Sequence, residues 1–368
     1  MLQPKNKLIL FMPSMEGGGV EKNLILIANY LIKKINCIYL ITFDKKFIKK
    51  FDNRIKIIIP KIKKKKNYSK YQKYFFCIIC LIKIIIEEKK ISIFSFQANI
   101  YCIIIAKIFN KKIVVRSNSS PSGWTKNILK SSIFKFFFRR ANYIIVNSKY
   151  FKKQIDKIFN INSIMIYNPL NIKEILIKSK VKLKTNPFGN AKCLKIISIA
   201  RFTNQKNHKL LLNSLKSLEN KIKYKLIIMG YGPNLNLIKR LIKKHKIQNN
   251  VIVMNYKSNP YQYMNYSDLF ILTSNYEGLP NVLLEAMTLK KLIISTDCPT
   301  GPREILDNNK LGILTKLNNE KDLSNKIYSV QKNFSSYKKL TLKAYKSLNR
   351  FDYSYNLNRY LKTINKII

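Results

Sequence analysis

"KLILFMPSMEGGGVEKNLILIANYLI", residues 7–32, decides how the chain folds. An unbroken apolar run (7–12) enters a glycine-rich turn (13–23), and an amphipathic stretch with helical spacing (20–34) follows. A strand that is apolar at every position, rather than at every second one, is buried on both faces, as parallel strands are. The same alternation continues: strands are predicted at 37–43, 55–60, 91–97, 112–116, 142–147 and 163–167. Helices are predicted between them at 69–88, 98–110, 125–139 and 149–159. Repeated βαβ units of this kind build a doubly wound α/β domain.

After Asn168-Pro169 the texture changes. Residues 171–192 are polar, contain Asn-Pro-Phe-Gly and lack a core pattern, which predicts a linker. A second series then begins, with strands at 194–200, 224–229, 251–255, 268–273 and 291–296 and helices at 208–220, 234–246 and 281–289. Helices fill most of 320–368. The expected organisation is a first domain over 1–170, a linker over 171–192, a second domain over 193–345, and a C-terminal helix over 346–368 that packs back on the first domain. No repeat at solenoid period is present.

Lys and Arg number 70 against 18 Asp and Glu, a formal net charge of +52. Such a surface attracts polyanions: nucleic acid, acidic headgroups, phosphorylated small molecules. Lys, Ile, Asn and Phe all have A/T-rich codons, so base composition is a competing source of the charge. Six scattered cysteines do not make a secreted disulfide framework, and the Cys77–Cys80 pair sits in an apolar helical run where thiols are buried. Two histidines, His208 and His245, leave no basis for a His-based metal site or a Ser-His-Asp triad. The apolar run before Pro13 is too short for a signal peptide, and the longer runs fall short of the ~20 residues a spanning helix needs. The expectation is a cytoplasmic protein with at most peripheral membrane contact.

Ligands of doubly wound sheets bind beyond the carboxyl ends of the strands. Four loops at such ends carry chemistry. "PSMEGGGVEKN" (13–23) offers Gly17, Gly18 and Gly19 before a helix start, without the spacing of a dinucleotide fingerprint or a P-loop. "IARFTNQKNH" (199–208) offers Arg201 and Lys206 as a diphosphate clamp, although a basic pair is common in so cationic a chain. "MGYGPN" (229–234) offers Gly230 and Gly232, which a plain turn explains equally well. "SNYEGLPNVLLEAM" (274–287) places Glu277 and Glu285 eight positions apart around Gly278, Leu279 and Pro280, with Pro280 in the first helical turn. A helix start takes phosphate, and an adjacent carboxylate takes sugar hydroxyls, a pattern that fits a nucleoside-diphosphate sugar. Acidic caps of a helix dipole are the plainer alternative.

In order along the chain, "GGGVEKN", "ARFTNQKN", "MGYGP", "YSDLFILTS", the E-x7-E stretch "EGLPNVLLE" and "STDCPTGPREIL" resemble the retaining glycosyltransferases of family 4. The resemblance implies the GT-B fold, two Rossmann-like domains facing a central cleft. It also implies that Glu285 binds ribose, that Arg201 and Lys206 bind the diphosphate, and that Glu277 contacts the transferred sugar. Gly278, Leu279, Pro280, Asn281 and Val282 would line the donor with main chain, and the Gly17–Gly19 loop would meet it from the first domain. No cofactor and no metal are implied, because basic groups and a helix dipole neutralise the leaving group. Where many such enzymes have a histidine after a mid-domain strand, this chain has "RSNSSPSGW", so Arg116 and Asn118 become the acceptor-side candidates. The "GPREIL" stretch resembles enzymes that transfer N-acetylhexosamine, from a UDP-sugar, to polyprenyl-diphosphate-linked glycans. The basic amphipathic stretch 125–140 and the run Lys61–Lys66 suit an anionic membrane surface as a further partner. A basic nucleic-acid-binding protein and a sugar-nucleotide epimerase on the same fold are the competing readings. No zinc-finger, helix-turn-helix or RNP-like signature supports the first, and no specific nucleic acid is expected.

Overall fold

The structure, a computed structural model, describes residues 6–15, 17–62, 68–118, 128–190 and 192–368. Glu16 of the glycine-rich turn, Lys63–Lys66, residues 119–124 of "RSNSSPSGW" and the first three residues of the expected helix 125–139 lie outside the described residues. Two compact units are present, one formed by Met1–Pro169 with Tyr353–Ile368, the other by Leu170–Asp352.

In unit 1 the elements run β1 (Lys7–Phe11), α1 (Gly19–Leu31), β2 (Cys37–Ile41), β3 (Lys56–Ile58), α2 (Lys70–Glu87), β4 (Ser92–Ser95), α3 (Asn99–Ile108), β5 (Ile113–Arg116), α4 (Ile128–Phe138), β6 (Tyr143–Val146), α5 (Lys149–Phe159) and β7 (Ile164–Met165). The seven strands pair in the order β3-β2-β1-β4-β5-β6-β7, all parallel. The unbroken apolar run of β1 now has its reason. Leu8 and Leu10 enter one core with Leu24 and Ile27 of α1, while Ile9 and Phe11 enter the opposite core with Leu81 of α2 and Ile103 of α3. Helix α2 begins where the sequence places it, because Ser69 and Gln72 form a reciprocal capping box. Burial pushes the Cys77 thiol far above its usual range, which suits a core thiol.

Unit 2 contains α6 (Ile172–Ser179), β8 (Leu194–Ile199), α7 (His208–Lys216), β9 (Tyr224–Gly230), α8 (Leu235–Lys244), β10 (Val251–Asn255), α9 (Tyr261–Asn265), β11 (Leu269–Leu272), α10 (Asn281–Thr288), β12 (Leu292–Thr296), α11 (Gly301–Ile305), β13 (Ile313–Thr315), α12 (Glu320–Lys332) and α13 (Phe334–Lys346). Its six parallel strands pair in the order β10-β9-β8-β11-β12-β13. The stretch 171–192 is not a bare linker. Asn171 caps α6 by accepting from the Glu174 N–H, Ile175 is buried, and α6 packs on α9 and α10 within unit 2. Its composition hides it, since α6 sinks little more than Ile175 and Ser179.

The last helix, α14 (Tyr353–Ile364), belongs to unit 1, where Leu357, Tyr360 and Ile364 join the core beside α1. Residues 346–352, expected with this helix, fall in unit 2.

One expected site residue is an interior strut of unit 1. Arg116 is 1% exposed; its Nε donates to Tyr360 Oη (3.0 Å), one Nη to Asn168 Oδ1 (2.7 Å) and the other to Asn118 Oδ1. Asn118 uses its amide on the Phe96 carbonyl (2.8 Å). Arg116 is therefore consumed inside the unit, which corrects its assignment to an acceptor, while Asn118 is half-buried beside it. A buried cation without its acceptors is costly. Tyr360→Phe should lose about 1.5–3 kcal/mol, the worth of a hydrogen bond to a charged group, read as a lower urea midpoint for unit 1 with unit 2 unaffected.

His208 opens α7 and is 3% exposed, edge-on to Phe202 (5.3 Å, 88°). Neither ring nitrogen has a hydrogen-bond partner among the described residues. Burial first, and the Lys206 cation second, push its pKa down from 6.5 to about 4. The unfolded chain takes up this proton below pH 6.5 while the folded one resists until about 4, so stability is full above 6.5 and falls as pH drops through that window. The slope is at most about 1.4 kcal/mol per pH unit, and His208→Leu should flatten it in denaturant titrations across that range.

Candidate donor site on the second unit

Strand order reverses in unit 2 between β8 and β11, which are hydrogen-bonded neighbours. The chain moves outward to β9 and β10 on one side and to β12 and β13 on the other. Loops that follow β8 and β11 therefore diverge, and the crevice between them is where doubly wound sheets hold ligands. Three of the four candidate stretches leave β8, β9 and β11.

The loop after β8 ends in a short 3-10 turn, Asn204–Lys206, and Asn207 then caps α7. The loop after β11 carries Ser274 and Glu277. Lys206 Nζ forms an ion pair with Glu277 Oε1, and Ser274 Oγ donates to the same oxygen at 2.6 Å. Both ionic side chains are nearly covered, 14% and 8% exposed. Hydrogen bonds to main-chain carbonyls stitch the two loops together: Asn275 N–H to the Gln205 carbonyl (2.8 Å), Gln205 Nε2 to the Tyr276 carbonyl (2.9 Å), and Thr273 Oγ1 to the Lys206 carbonyl (3.0 Å).

The loop after β12 clamps the other side. Glu277 N–H donates to the Pro299 carbonyl (2.9 Å), and Thr300 Oγ1 and Gly301 N–H both donate to the Gly278 carbonyl (3.0 and 2.9 Å). A Cβ at Gly301 would lie 2.3 Å from that carbonyl oxygen, so the contact requires glycine. Gly278, Leu279 and Pro280 are buried as a result. Pro280 is the residue before α10, in extended conformation, and not part of its first turn. No side chain caps α10 at Pro280. The first-turn N–H groups of any helix, here beginning at Asn281 and Val282, have no partner within it. One turn on, Glu285 is 5% exposed and accepts from Tyr261 Oη at 3.3 Å.

Arg201 is half-buried at the end of β8. Gly230 and Gly232 have a packing cause: a Cβ would meet the Ala200 carbonyl oxygen at 1.9 Å and the Phe202 carbonyl oxygen at 2.5 Å. They let the turn after β9 lie on the Arg201–Phe202 backbone, with Phe202 N–H to the Tyr231 carbonyl (2.7 Å) and Asn234 N–H to the Phe202 carbonyl (2.9 Å). The two glycines thus hold the Arg201 loop in place.

In unit 1 the sheet reverses between β1 and β4. The glycine-rich turn follows β1, and Ser14 and Gln97 bind each other reciprocally across the reversal (3.0 and 2.9 Å). Gly17 has φ +87° under the Phe47 ring, while Gly18 is the residue before α1 and Gly19 its first. Sequence reasoning missed Ser274, Tyr261 and Gln97. Ser274, three residues before Glu277, had a local signal; Tyr261 and Gln97 arrive through tertiary packing and had none.

Residues 182–347, all within unit 2, match the family of glycosyl transferases group 1. An uncharacterized glycosyltransferase of Methanocaldococcus jannaschii is 35% identical over 219 residues, 55% of this chain and 53% of that protein. An N-acetylgalactosamine-N,N'-diacetylbacillosaminyl-diphospho-undecaprenol 4-alpha-N-acetylgalactosaminyltransferase of Campylobacter jejuni is 28% identical, over 61% of this chain and 62% of that protein. The match thus spans between half and two thirds of these relatives' lengths. Anabaena HepE, solved with UDP and glucose, superposes with a TM-score of 0.81 at 18% identity over 98% of this chain and all of that one, a likeness that shows the α/β GT-B fold class. Residues 182–347 of the second unit are therefore similar to the glycosyl transferases group 1 family, and the chain shares the α/β GT-B fold class along nearly its whole length.

Proposed function

We propose that the chain is a metal-independent, family 4 retaining glycosyltransferase that moves an N-acetylhexosamine from a UDP-sugar to a hydroxyl of a polyprenyl-diphosphate-linked glycan. The observation that carries this is the Lys206–Glu277 ion pair, covered and held by Ser274 beside the start of α10. A lysine ammonium has three donors. Glu277 takes one and fixes the side chain, which leaves the others for the β-phosphate. Arg201 and the α10 start would supply the remaining donors as the C1–O bond breaks and negative charge gathers on the leaving diphosphate. Both bonds to Glu277 fall on Oε1. Oε2 can then accept from a hydroxyl of the transferred sugar, which fixes C1 against the acceptor oxygen; as that oxygen bonds to C1, its proton passes to the departing diphosphate. Glu285, steadied by Tyr261, takes the ribose hydroxyls. The UDP in the HepE complex and the undecaprenol-linked acceptor in the Campylobacter relative's name support the choice of donor and acceptor.

A thermal-shift series with UDP-, GDP- and ADP-sugars tests the donor. UDP-N-acetylhexosamines should raise the melting temperature, by an increment worth about 2.7 kcal/mol at a hundredfold excess over Kd, and the other nucleotides should not. A flat response to all three would remove the reading. In turnover assays Glu285→Gln and Arg201→Ala should each lose at least about 100-fold, the scale of one charge-stabilising group, with the melting temperature kept. Near-normal turnover in either would contradict the assigned roles.

A further inference from the structure

Three neighbouring helices of unit 1 are apolar on the side turned away from their sheet. In α2 the inner side gives Cys77, Leu81, Ile84 and Ile85 to the core. Its outer side carries Tyr71, Phe75, Ile79 and Ile86, which are 74%, 60%, 49% and 64% exposed. These positions are four, four and seven apart, which is one stripe of a 3.6-residue helix. Helix α3, packed against both α2 and α4, adds Tyr101 and Ile108, and α4 adds Leu129, Ile133 and Phe136. Nine of the eighteen large exposed apolar side chains among the described residues fall on these three helices, so they form a face and are not surface scatter. A surface helix that only covers its sheet would be polar outside.

The charges on this face select the occupant. Lys70, Lys83, Lys107, Lys130, Arg139 and Arg140 are exposed on or beside the three helices. Glu87 is the single acidic residue within them. A second copy of the chain would set the same cations against each other across a two-fold contact. An anionic lipid leaflet would instead accept the apolar stripe among its acyl chains and the cations at its phosphates. We infer that the outer face of α2, α3 and α4 is a membrane-docking surface for anionic lipid. It shifts the membrane contact expected from 125–140 and Lys61–Lys66 to a three-helix face centred on α2, and it holds whichever sugar is transferred. No helix of the described residues is long and apolar enough to cross a membrane. Contact through this face would be in the interface plane.

The test is flotation of the full chain with vesicles of phosphatidylcholine alone and of phosphatidylcholine mixed with phosphatidylglycerol. The wild type should float with the mixed vesicles and not with the neutral ones. Phe75→Glu with Ile79→Glu should weaken partitioning at least about tenfold while Tyr328→Glu, on unit 2, leaves it unchanged. Lys83→Glu with Lys107→Glu should weaken it as well, and both pairs should keep the circular-dichroism melt because the altered side chains are exposed; the lysine pair decides the matter if the first pair does not fold. Three outcomes would overturn the inference: no wild-type binding to the mixed vesicles, undiminished binding by the variants, or a wild-type dimer, without vesicle binding, that the Phe75 and Ile79 substitutions split.

Discussion

A single covered ion pair, Lys206 with Glu277, holds the loops on either side of the chain reversal in the second sheet. Strand topology alone would let those loops part, because β8 and β11 send their chains in opposite directions. Taking both charges out of water is costly, and mutual attraction repays the cost only with good geometry and further hydrogen bonds. Ser274 supplies one to the carboxylate, and the crossed bonds of Gln205 and Asn275 fix the backbones beneath it. The result is an ammonium held in one orientation by a fixed carboxylate, unlike a mobile surface lysine.

The same economy governs the glycines. Gly230, Gly232 and Gly301 each sit where a Cβ would collide with a carbonyl oxygen of a neighbouring loop. Their absent side chains allow loops after β8, β9, β11 and β12 to pack backbone to backbone. Glycine therefore acts in unit 2 through the rigidity of the floor under Arg201, Lys206 and Gly278. Direct approach to a phosphate is not needed to explain these three. Gly17, with its positive φ beneath Phe47, shapes the corresponding turn of unit 1.

Much of the fold was legible because buried parallel strands are written in short, largely apolar runs such as "KLILF" and "LKIISI", set between longer amphipathic stretches. The acidic pair of the candidate site stands out for a different reason: carboxylates are rare in this chain, and Glu277 precedes a helix in which Glu285 lies one turn on. Helix α6 was hidden because its buried side is little more than Ile175 and Ser179 among lysines, so no apolar stripe could be seen. Strand β13 is three residues long, below the length at which a pattern exists. Arg116 was misassigned because a strand-end arginine looks the same in sequence whether it faces solvent or the interior. What decides is Tyr360, 244 residues away, whose hydroxyl receives its Nε.

The cation excess also explains how the two kinds of charge are placed. With 70 basic and 18 acidic residues, most lysines must stand unpaired in solvent, where a cation costs little. A buried cation then has few carboxylates to meet, and Arg116 is held by a tyrosine and two asparagines instead. The acids go the other way. Among the described residues Glu21 of α1 in unit 1 and Glu277, Glu285 and Glu304 of unit 2 are buried, although a surface position would be cheaper for each and would offset the surplus charge. A carboxylate is worth burying only where it fixes a specific partner, because desolvation outweighs a general electrostatic gain. Glu277 meets that condition through Lys206 and Ser274, and Glu285 through Tyr261.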